Sequence, residues 1–406
     1  MNQTRKARWG LVTTTGVLTG FGHGFAAFAV SALLKPIAID LDTGRGAIST
    51  AIGLGRLVSG VSSPLIGRLT DENGPRWVVV GGMLIAALGL FALSLVRNEI
   101  ELYFAWALVF SLGVAAGFTV ALDKLVVASM GERRGMGLAV RFSISAVVAT
   151  LIVPVVTAMI EQFGWRLTCA IWGAIIVVLI PVPLFMFRTA RGTKREASAV
   201  ARPDGGEAAT RPVMRQTAFW LIAAALTAQA SVTAGLSVHL VALMTDYGLD
   251  PVFAATLFGG MILLTVPVRL LAGFIADRVP SGRLPLVLGG LLVLEGLAIS
   301  SFALAPSFAT MLVVTAALGI AAGAPMVLVL VLCADLFGQS SFGAVQGNLM
   351  MIQVPGTMLA PILAGYAHDL TDSYVGVIAV FALILVLGGL TLSTLKPARG
   401  EGTGQS

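Results

Sequence analysis

Long apolar runs recur along the whole chain, and they limit its fold more than any other feature. Twelve of them approach or exceed the roughly 20 residues that an α-helix needs to cross a bilayer. In the first half they fall near residues 9–34, 47–69, 77–96, 101–128, 136–160 and 166–188. In the second half they fall near 217–244, 252–275, 284–303, 307–334, 342–366 and 374–395. A soluble domain carries about 25% charged residues, whereas here 11% of 406 residues are charged and 57% are hydrophobic. A water-facing surface cannot be covered from that composition. In hydrocarbon the backbone polar groups must be satisfied internally, so the runs are predicted to be helices. The expected fold class is an all-α integral membrane protein with twelve transmembrane helices.

The first run has no small-residue cleavage site behind it and reads as a retained helix rather than a signal peptide. Outside the runs, eighteen Lys and Arg fall on the side that holds the N-terminus, and four, Lys35, Arg45, Arg97 and Arg166, fall on the other. Positive residues stay on the cytoplasmic side, so both termini and the polar segment 189–216 are predicted to be cytoplasmic. The +6 formal charge is thereby explained by topology, and no nucleic-acid partner is implied. The expected location is a plasma membrane, a bacterial inner membrane. The expected domains are a first bundle over 1–188, a linker over 189–216 and a second bundle over 217–406. Two cysteines, Cys169 and Cys333, lie inside apolar runs, so no disulfide framework, metal site or cofactor is implied.

A single offset of 206 residues aligns the two halves. It places Asp40 on Asp246, Gly67 on Gly273 and Asp71 on Asp277, and it places the run Leu112–Gly117 on Leu318–Gly323. Two parallel six-helix repeats fit a transporter fold with an axis along the membrane normal. Structural residues should obey the offset, while residues contacting a substrate need not. The intramembrane charges break it: Arg56 falls on Ile262, Asp123 on Val329, Lys124 on Leu330, Arg141 on Gly347, and Arg269 and Glu295 fall on Ser63 and Gly89. His23 likewise falls on Gln229.

The loop after the second run reads Gly67-Arg-Leu-Thr-Asp71-Glu-Asn-Gly74-Pro-Arg76, and its weaker partner runs from Gly273 through Asp277 to Arg283. Glycine permits close helix approach, and a carboxylate pairs with cations or a helix N-terminus. Gly67, Asp71, Arg76, Gly273, Asp277 and Arg283 are therefore candidate conformational latches. This loop resembles the G-x-L-A-D-x-x-G-R-R signature of the major facilitator superfamily. More narrowly, the chain is similar over nearly its full length to the monocarboxylate-transporter and oxalate/formate-antiporter branch. That similarity rests on Ser62-Ser-Pro64, Glu132-Arg133-Arg134-Gly135, Phe163-Gly164-Trp165-Arg166, Ser237-Val-His239 with Tyr247-Gly248, and above all Arg269-x-x-x-Gly273-x-x-x-Asp277. The resemblance implies two pseudo-symmetric six-helix bundles and a helix-eight arginine, here Arg269, that binds a substrate carboxylate. The chain departs from that branch at Thr265 and Phe28, where animal monocarboxylate transporters carry acid and lysine. It departs again where the antiporters carry a helix-eleven lysine and this chain has Gln346, Asn348 and Gln353.

The candidate substrate contacts are Arg269, Lys124, Arg141, His23, His239 and Gln353. Arg269 sits about 12 Å in from its loop at 1.5 Å per residue. Its planar, permanently charged fork suits a carboxylate; the structural alternative is an ion pair with Glu295 or Asp277. Lys124 is either an anion-binding or gating charge or one half of a salt bridge. Asp123 and Arg141 share a depth and pair on the economical reading, whereas an Arg141 facing Arg269 would favour a dianion. His23 and His239 are proton or substrate contacts, or neutral hydrogen-bonded histidines. Arg56 and Glu295 have no assigned role.

Four intramembrane cations against two acids favour transport of a small organic anion, a mono- or dicarboxylate, alone, with protons or in exchange for a counter-anion. A drug or cation exporter of the same fold would need pathway acids, and the first helix has none. A receptor or enzyme on this scaffold is the remaining alternative; no nucleophile, metal or acid–base cluster is visible. The expected partners are the substrate anion and the lipid bilayer, with the protein as a monomer.

Overall fold

The computed structural model describes residues 2–130, 134–187, 213–337 and 342–395. Glu132 and Arg133, most of the segment 189–216, and the side chains of Arg134, Asp277 and Gln346 lie outside the described residues. Among the described residues the chain is helical almost throughout. The helices are α1 (2–40), α2 (Arg45–Asn73), α3 (Pro75–Ser94), α4 (Glu99–Met130), α5 (134–163) and α6 (165–187). They continue as α7 (Thr217–Asp246), α8 (Pro251–Arg278), α9 (Leu284–Leu304), α10 (Phe308–Phe337), α11 (Phe342–Thr371) and α12 (Val375–Ser393).

Among the described residues ten stretches are long and apolar enough to cross a bilayer; α5 and α6 count as one of them, and α2 is absent. Arg56 and the Ser, Thr and Gly residues around it lower the mean hydropathy of α2, and the other charges crowd its ends. Arg45, Arg56, Arg68, Asp71 and Glu72 all lie within its 29 residues, so it is the most polar of the twelve.

The 206-residue register reappears in the helix limits. Adding it to α2 gives 251–279 against the observed Pro251–Arg278, and adding it to Asp40 gives the last residue of α7. The turn that follows repeats too. Asp42 and Gly248, one offset apart, both have positive φ, at 49° and 82°, a left-handed conformation that lets the chain reverse. Gly74 (φ 84°) separates α2 from α3, and Gly164 (φ 77°) separates α5 from α6.

The repeated Leu-Gly-x-Ala-Ala-Gly run has a packing reason in its first copy. A Cβ on Gly117 would lie 2.6 Å from the Met83 nitrogen, and one on Gly82 or Gly113 would collide with the backbone of α4 or α3 respectively. Small residues let these two helices touch backbone to backbone, as membrane helices do when lipid supplies no hydrophobic drive between them. Phe25, Phe110 and Trp172 fill the adjoining space with stacked and edge-on rings. Helix α1 contains a π-helical turn at Phe25–Ala29, and α4 contains two, at Tyr103–Phe110 and Ala115–Val120.

Two compact units are present. The first combines Met1–Arg202 with Ser231–Val266 and Val354–Val377; the second combines Pro203–Ala230, Pro267–Gln353 and Ile378–Ser406. Within the first, α2 meets α11 closely. A Cβ on Gly53 would lie 2.7 Å from the Met358 carbonyl, and one on Gly365 2.8 Å from the Arg45 carbonyl. Within the second, Pro325 interrupts α10 and cannot donate to the Ala321 carbonyl. Gln229 Nε2 donates to that carbonyl at 3.0 Å instead.

Neighbouring glycines test the packing argument. Gly82→Ala should destabilise the protein by about 1–3 kcal/mol through overpacking against α4. Gly81→Ala, where a Cβ meets nothing within 4 Å, should be neutral. Thermal unfolding in detergent separates the two; equal losses would show that α3 and α4 are not in backbone contact.

Candidate functional site

The first loop motif folds as its residues require. Gly74 ends α2 by donating its N–H to the Thr70 carbonyl at 3.0 Å, and Pro75, which has no N–H to lose, opens α3. Asp71 on the last turn of α2 meets Lys124 of α4 at 2.8 Å, and Lys124 also donates to the Gly67 carbonyl at 2.8 Å. A Cβ on Gly67 would lie 3.4 Å from Lys124 Nζ, an ordinary contact, so this pair does not itself require glycine there. Lys124 is thus held by the loop motif in this conformation, as the ion-pair reading anticipates. Arg76 lies over the Trp77 ring.

Arg141 is fully buried and pairs with Asp123. Its second nitrogen donates to Thr19 Oγ1 at 2.6 Å and to the Phe118 carbonyl at 3.2 Å. One guanidinium therefore joins α1, α4 and α5. His23 and Arg56 lie within electrostatic reach of one another, and Arg141 acts on His23 as well. The His23 side chain is exposed. Arg56 has a backbone partner, donating to the Thr357 carbonyl at 2.9 Å, and no carboxylate partner among the described residues.

At the opposite end of the first unit a network joins α1, α2, α7 and α11. Arg45 clasps Asp246 with both terminal nitrogens, at 2.6 and 2.9 Å, and Lys35 reaches the same carboxylate at 2.8 Å. Asp369 accepts from the backbone N–H groups of Arg45 and Gly46 at 2.9 and 2.7 Å, which places a carboxylate on the positive N-terminus of α2. Arg45 also donates to the Tyr374 hydroxyl at 2.9 Å. Burial holds that phenol above its ordinary value, so it remains a hydroxyl.

His239 belongs to this network. Its Nδ1 lies 2.9 Å from the Tyr374 hydroxyl, and its Nε2 lies 2.9 Å from the Pro361 carbonyl and 3.1 Å from Ser49 Oγ. A carbonyl can only accept, so Nε2 carries the hydrogen and Nδ1 accepts from Tyr374. The ring is buried with both nitrogens engaged. This is the hydrogen-bonded histidine of the structural reading.

Sequence reasoning did not name Lys35, Arg45, Asp246, Asp369 or Tyr374 as a group. The available signal was the scarcity of cations on that side: Lys35 and Arg45 are two of only four, and Asp246 ends its helix. The offset hid the rest. Asp40, the repeat partner of Asp246, pairs with Arg166 at 2.7 Å inside the first half, whereas Asp246 pairs with residues of α1 and α2.

The second unit carries Arg269 on α8, two residues after Pro267 and nine before the helix end. It is half-buried, its Nε is enclosed without a hydrogen-bond partner, and no ion pair reaches it among the described residues. Glu295 is buried with one oxygen unpartnered and is not paired with Arg269. A Cβ on Gly273 would meet nothing within 4 Å. Gln353 donates to the Leu349 carbonyl at 3.1 Å, and Arg283 closes a short turn by donating its N–H to Pro280 at 2.8 Å. The Asp277 side chain lies outside the described residues.

The Major Facilitator Superfamily model matches residues 16–294. The chain belongs to that superfamily. Monocarboxylate transporter 13 of Rattus norvegicus is 26% identical over 380 residues, covering 94% of this chain and 85% of the relative. The uncharacterized MFS-type transporter YhjX of Escherichia coli K12 is 23% identical over 306 residues, covering 74% and 73%. The nucleoside transporter NupG superposes with a TM-score of 0.73 at 12% identity, covering 95% of this chain and 98% of that one. A bacterial homolog of the human lysosomal transporter Spinster gives 0.70 at 16% identity, covering 97% and 95%. This superfamily member is accordingly a multi-pass membrane transporter with a small-molecule substrate and a lipid environment.

The two charge clusters make separate predictions. Asp71→Asn and Lys124→Met should each slow transport, and the swap Asp71→Lys/Lys124→Asp should recover part of the rate. A swap no better than the single variants would remove the pair from the transport cycle. At the other end, a double-mutant cycle on Arg45 and Asp246 should give a coupling energy of about 0.5–3 kcal/mol in thermal stability. Additive losses would show that the contact carries no energy.

Proposed function

We propose that the protein is a secondary active transporter of a small organic anion, a mono- or dicarboxylate, working by alternating access, with Arg269 as the principal anion contact. The observation that carries this reading is the state of Arg269. A guanidinium within a spanning segment is costly and marks a pathway or a partner, and among the described residues no carboxylate partners it. Lys124 already holds the latch carboxylate of Asp71 and Arg141 the structural carboxylate of Asp123, so among the described residues Arg269 and Arg56 are the intramembrane cations left without a carboxylate. The names of the monocarboxylate-transporter relatives agree with a carboxylate substrate. His23, exposed and close to Arg56, is a second contact or a proton carrier, and Gln353 is a polar neighbour on α11.

The remaining features follow from the same reading. The halves 1–188 and 217–406 form the two bundles, joined by the linker 189–216. Both termini face the cytoplasm of a bacterial cell, in the inner membrane, because the cations gather on that side. Asp71, with Gly67 and Arg76, and Asp277, with Gly273 and Arg283, form the cytoplasmic latches. The protein works as a monomer without a cofactor, and protons or a counter-anion drive transport rather than a chemical reaction.

Desolvating a carboxylate inside a membrane is unfavourable unless a fixed charge receives it. Losing such a buried charge-paired hydrogen bond costs about 2–5 kcal/mol, so Arg269→Ala should weaken binding roughly thirtyfold to several-thousandfold. Arg269→Lys keeps the charge without the fork and should bind weakly. Uptake of labelled mono- and dicarboxylates into proteoliposomes, with and without a pH gradient, tests substrate class and coupling together. Folded yield measured in parallel distinguishes binding from folding: Arg141→Ala, which strands Asp123, should lose yield, and Arg269→Ala should not. Normal carboxylate binding by well-folded Arg269→Ala would overturn the assignment, and uptake of organic cations alone would replace the anion reading with an exporter.

A further inference from the structure

Helices α9 and α10 of the second unit line a half-open cleft of about 330 Å³. It is within the range of small-molecule sites. Leu291, Leu294, Ala298, Val313 and Ala317 supply apolar wall, and Glu295 is the one lining residue with an ionisable side chain. Glu295 is 5% exposed, and its Oε1 has neither a hydrogen-bond partner nor a cation. A buried polar atom left bare costs about 1–3 kcal/mol, and acids within spanning helices ordinarily face a partner or a functional cavity. Nothing in the transport reading uses this residue.

The mouth of the cavity indicates where an occupant comes from. Leu294, Val313 and Ile320 line it and are also 63%, 46% and 40% exposed, on apolar faces that lie against lipid in a membrane transporter. A molecule reaching Glu295 by this route crosses hydrocarbon, where a charged group is strongly disfavoured. Such a molecule must therefore be apolar over most of its length and uncharged. Oε1 is shut off from the cavity in this conformation, so Glu295 must turn to meet an occupant, which must bring a group able to donate to or accept from its carboxyl.

We propose that the α9–α10 cavity is a lipid-side binding site for an uncharged lipophile bearing one hydroxyl, which donates to Glu295 while its hydrocarbon part covers Leu291, Ala298 and Val313. The site is separate from Arg269 and does not depend on the carboxylate reading. Occupancy completes the hydrogen bonding of a buried acid and fills the space between two helices.

The photoreactive alcohol 3-azioctanol, applied to the full chain in lipid nanodiscs, tests this with peptide mapping. Label should concentrate on α9 and α10 peptides within residues 291–325, and excess 1-decanol should displace it, whereas decane should compete far less. Glu295→Gln keeps a neutral carbonyl acceptor and should retain labelling. Glu295→Leu removes it and should lower labelling about two- to tenfold, the worth of one neutral hydrogen bond. Ala317→Phe should block the cavity and abolish labelling there. Thermal unfolding checks that each variant is folded, and 1-decanol should raise the midpoint of the wild type but not of Ala317→Phe. Label outside the two helices, or undiminished in both Glu295→Leu and Ala317→Phe, would overturn the site. Loss in Glu295→Gln equal to that in Glu295→Leu, or displacement by decylamine and not by 1-decanol, would overturn the uncharged-hydroxyl occupant.

Discussion

A charge placed in hydrocarbon has to be answered by an opposite charge, a dense set of dipoles or water, and this requirement sorts the polar residues of the chain. Arg141 is answered three times over, by Asp123, Thr19 and a backbone carbonyl, and in return it ties α1, α4 and α5 together. Lys124 is answered by Asp71 and by the carbonyl of Gly67. Lys35 and Arg45 share one carboxylate. Arg56 has a single carbonyl, and Arg269 has no protein partner among the described residues. The gradient from saturated to unanswered separates residues that hold the fold from residues with binding capacity left, and composition alone cannot draw that line.

The same requirement shaped the helices. Backbone groups in lipid have no water to fall back on, so departures from regular α-helix need a local compensation. Gln229 supplies one at Pro325. Small residues serve the complementary need for attraction between helices that lipid does not push together. The Gly82–Gly117 contact and the Gly46–Gly365 contact bring backbones close enough for dispersion to act over a wide area.

Much of this was legible in the residues. Helix limits were readable because apolar runs of the right length have few alternative explanations, and the 206-residue repeat fixed their register. The Asp123–Arg141 pair was readable because both residues lie at similar depth on consecutive helices. The roles of Lys124 and His239 were open, because their partners come from turns and helices distant in sequence. Lys124 depends on Asp71 across 53 residues and His239 on Tyr374 across 135. Spacing on one helix says which face a side chain occupies, and it says nothing of which remote helix covers that face. The Arg45–Asp246 network was hidden for a further reason: the repeat that exposes structural residues predicts the same role for Asp40 and Asp246, and the two pair differently.

Helix α2 is anchored at both ends by electrostatics, on Asp369 at its first turn and on Lys124 at its last. Between the anchors, Arg45 and Asp71, it is a rod about 39 Å long at 1.5 Å per residue, with Pro64 set nearer the Lys124 end. Proline removes one hydrogen bond from the ladder and weakens the rod at that point. This weak point, set off-centre, divides the helix into a long arm fixed at Asp369 and a short arm fixed at Lys124. A bend at Pro64 would let Asp71 part from Lys124 while the contacts of Arg45 hold. The two ends of the same helix would then part from their partners one at a time rather than together.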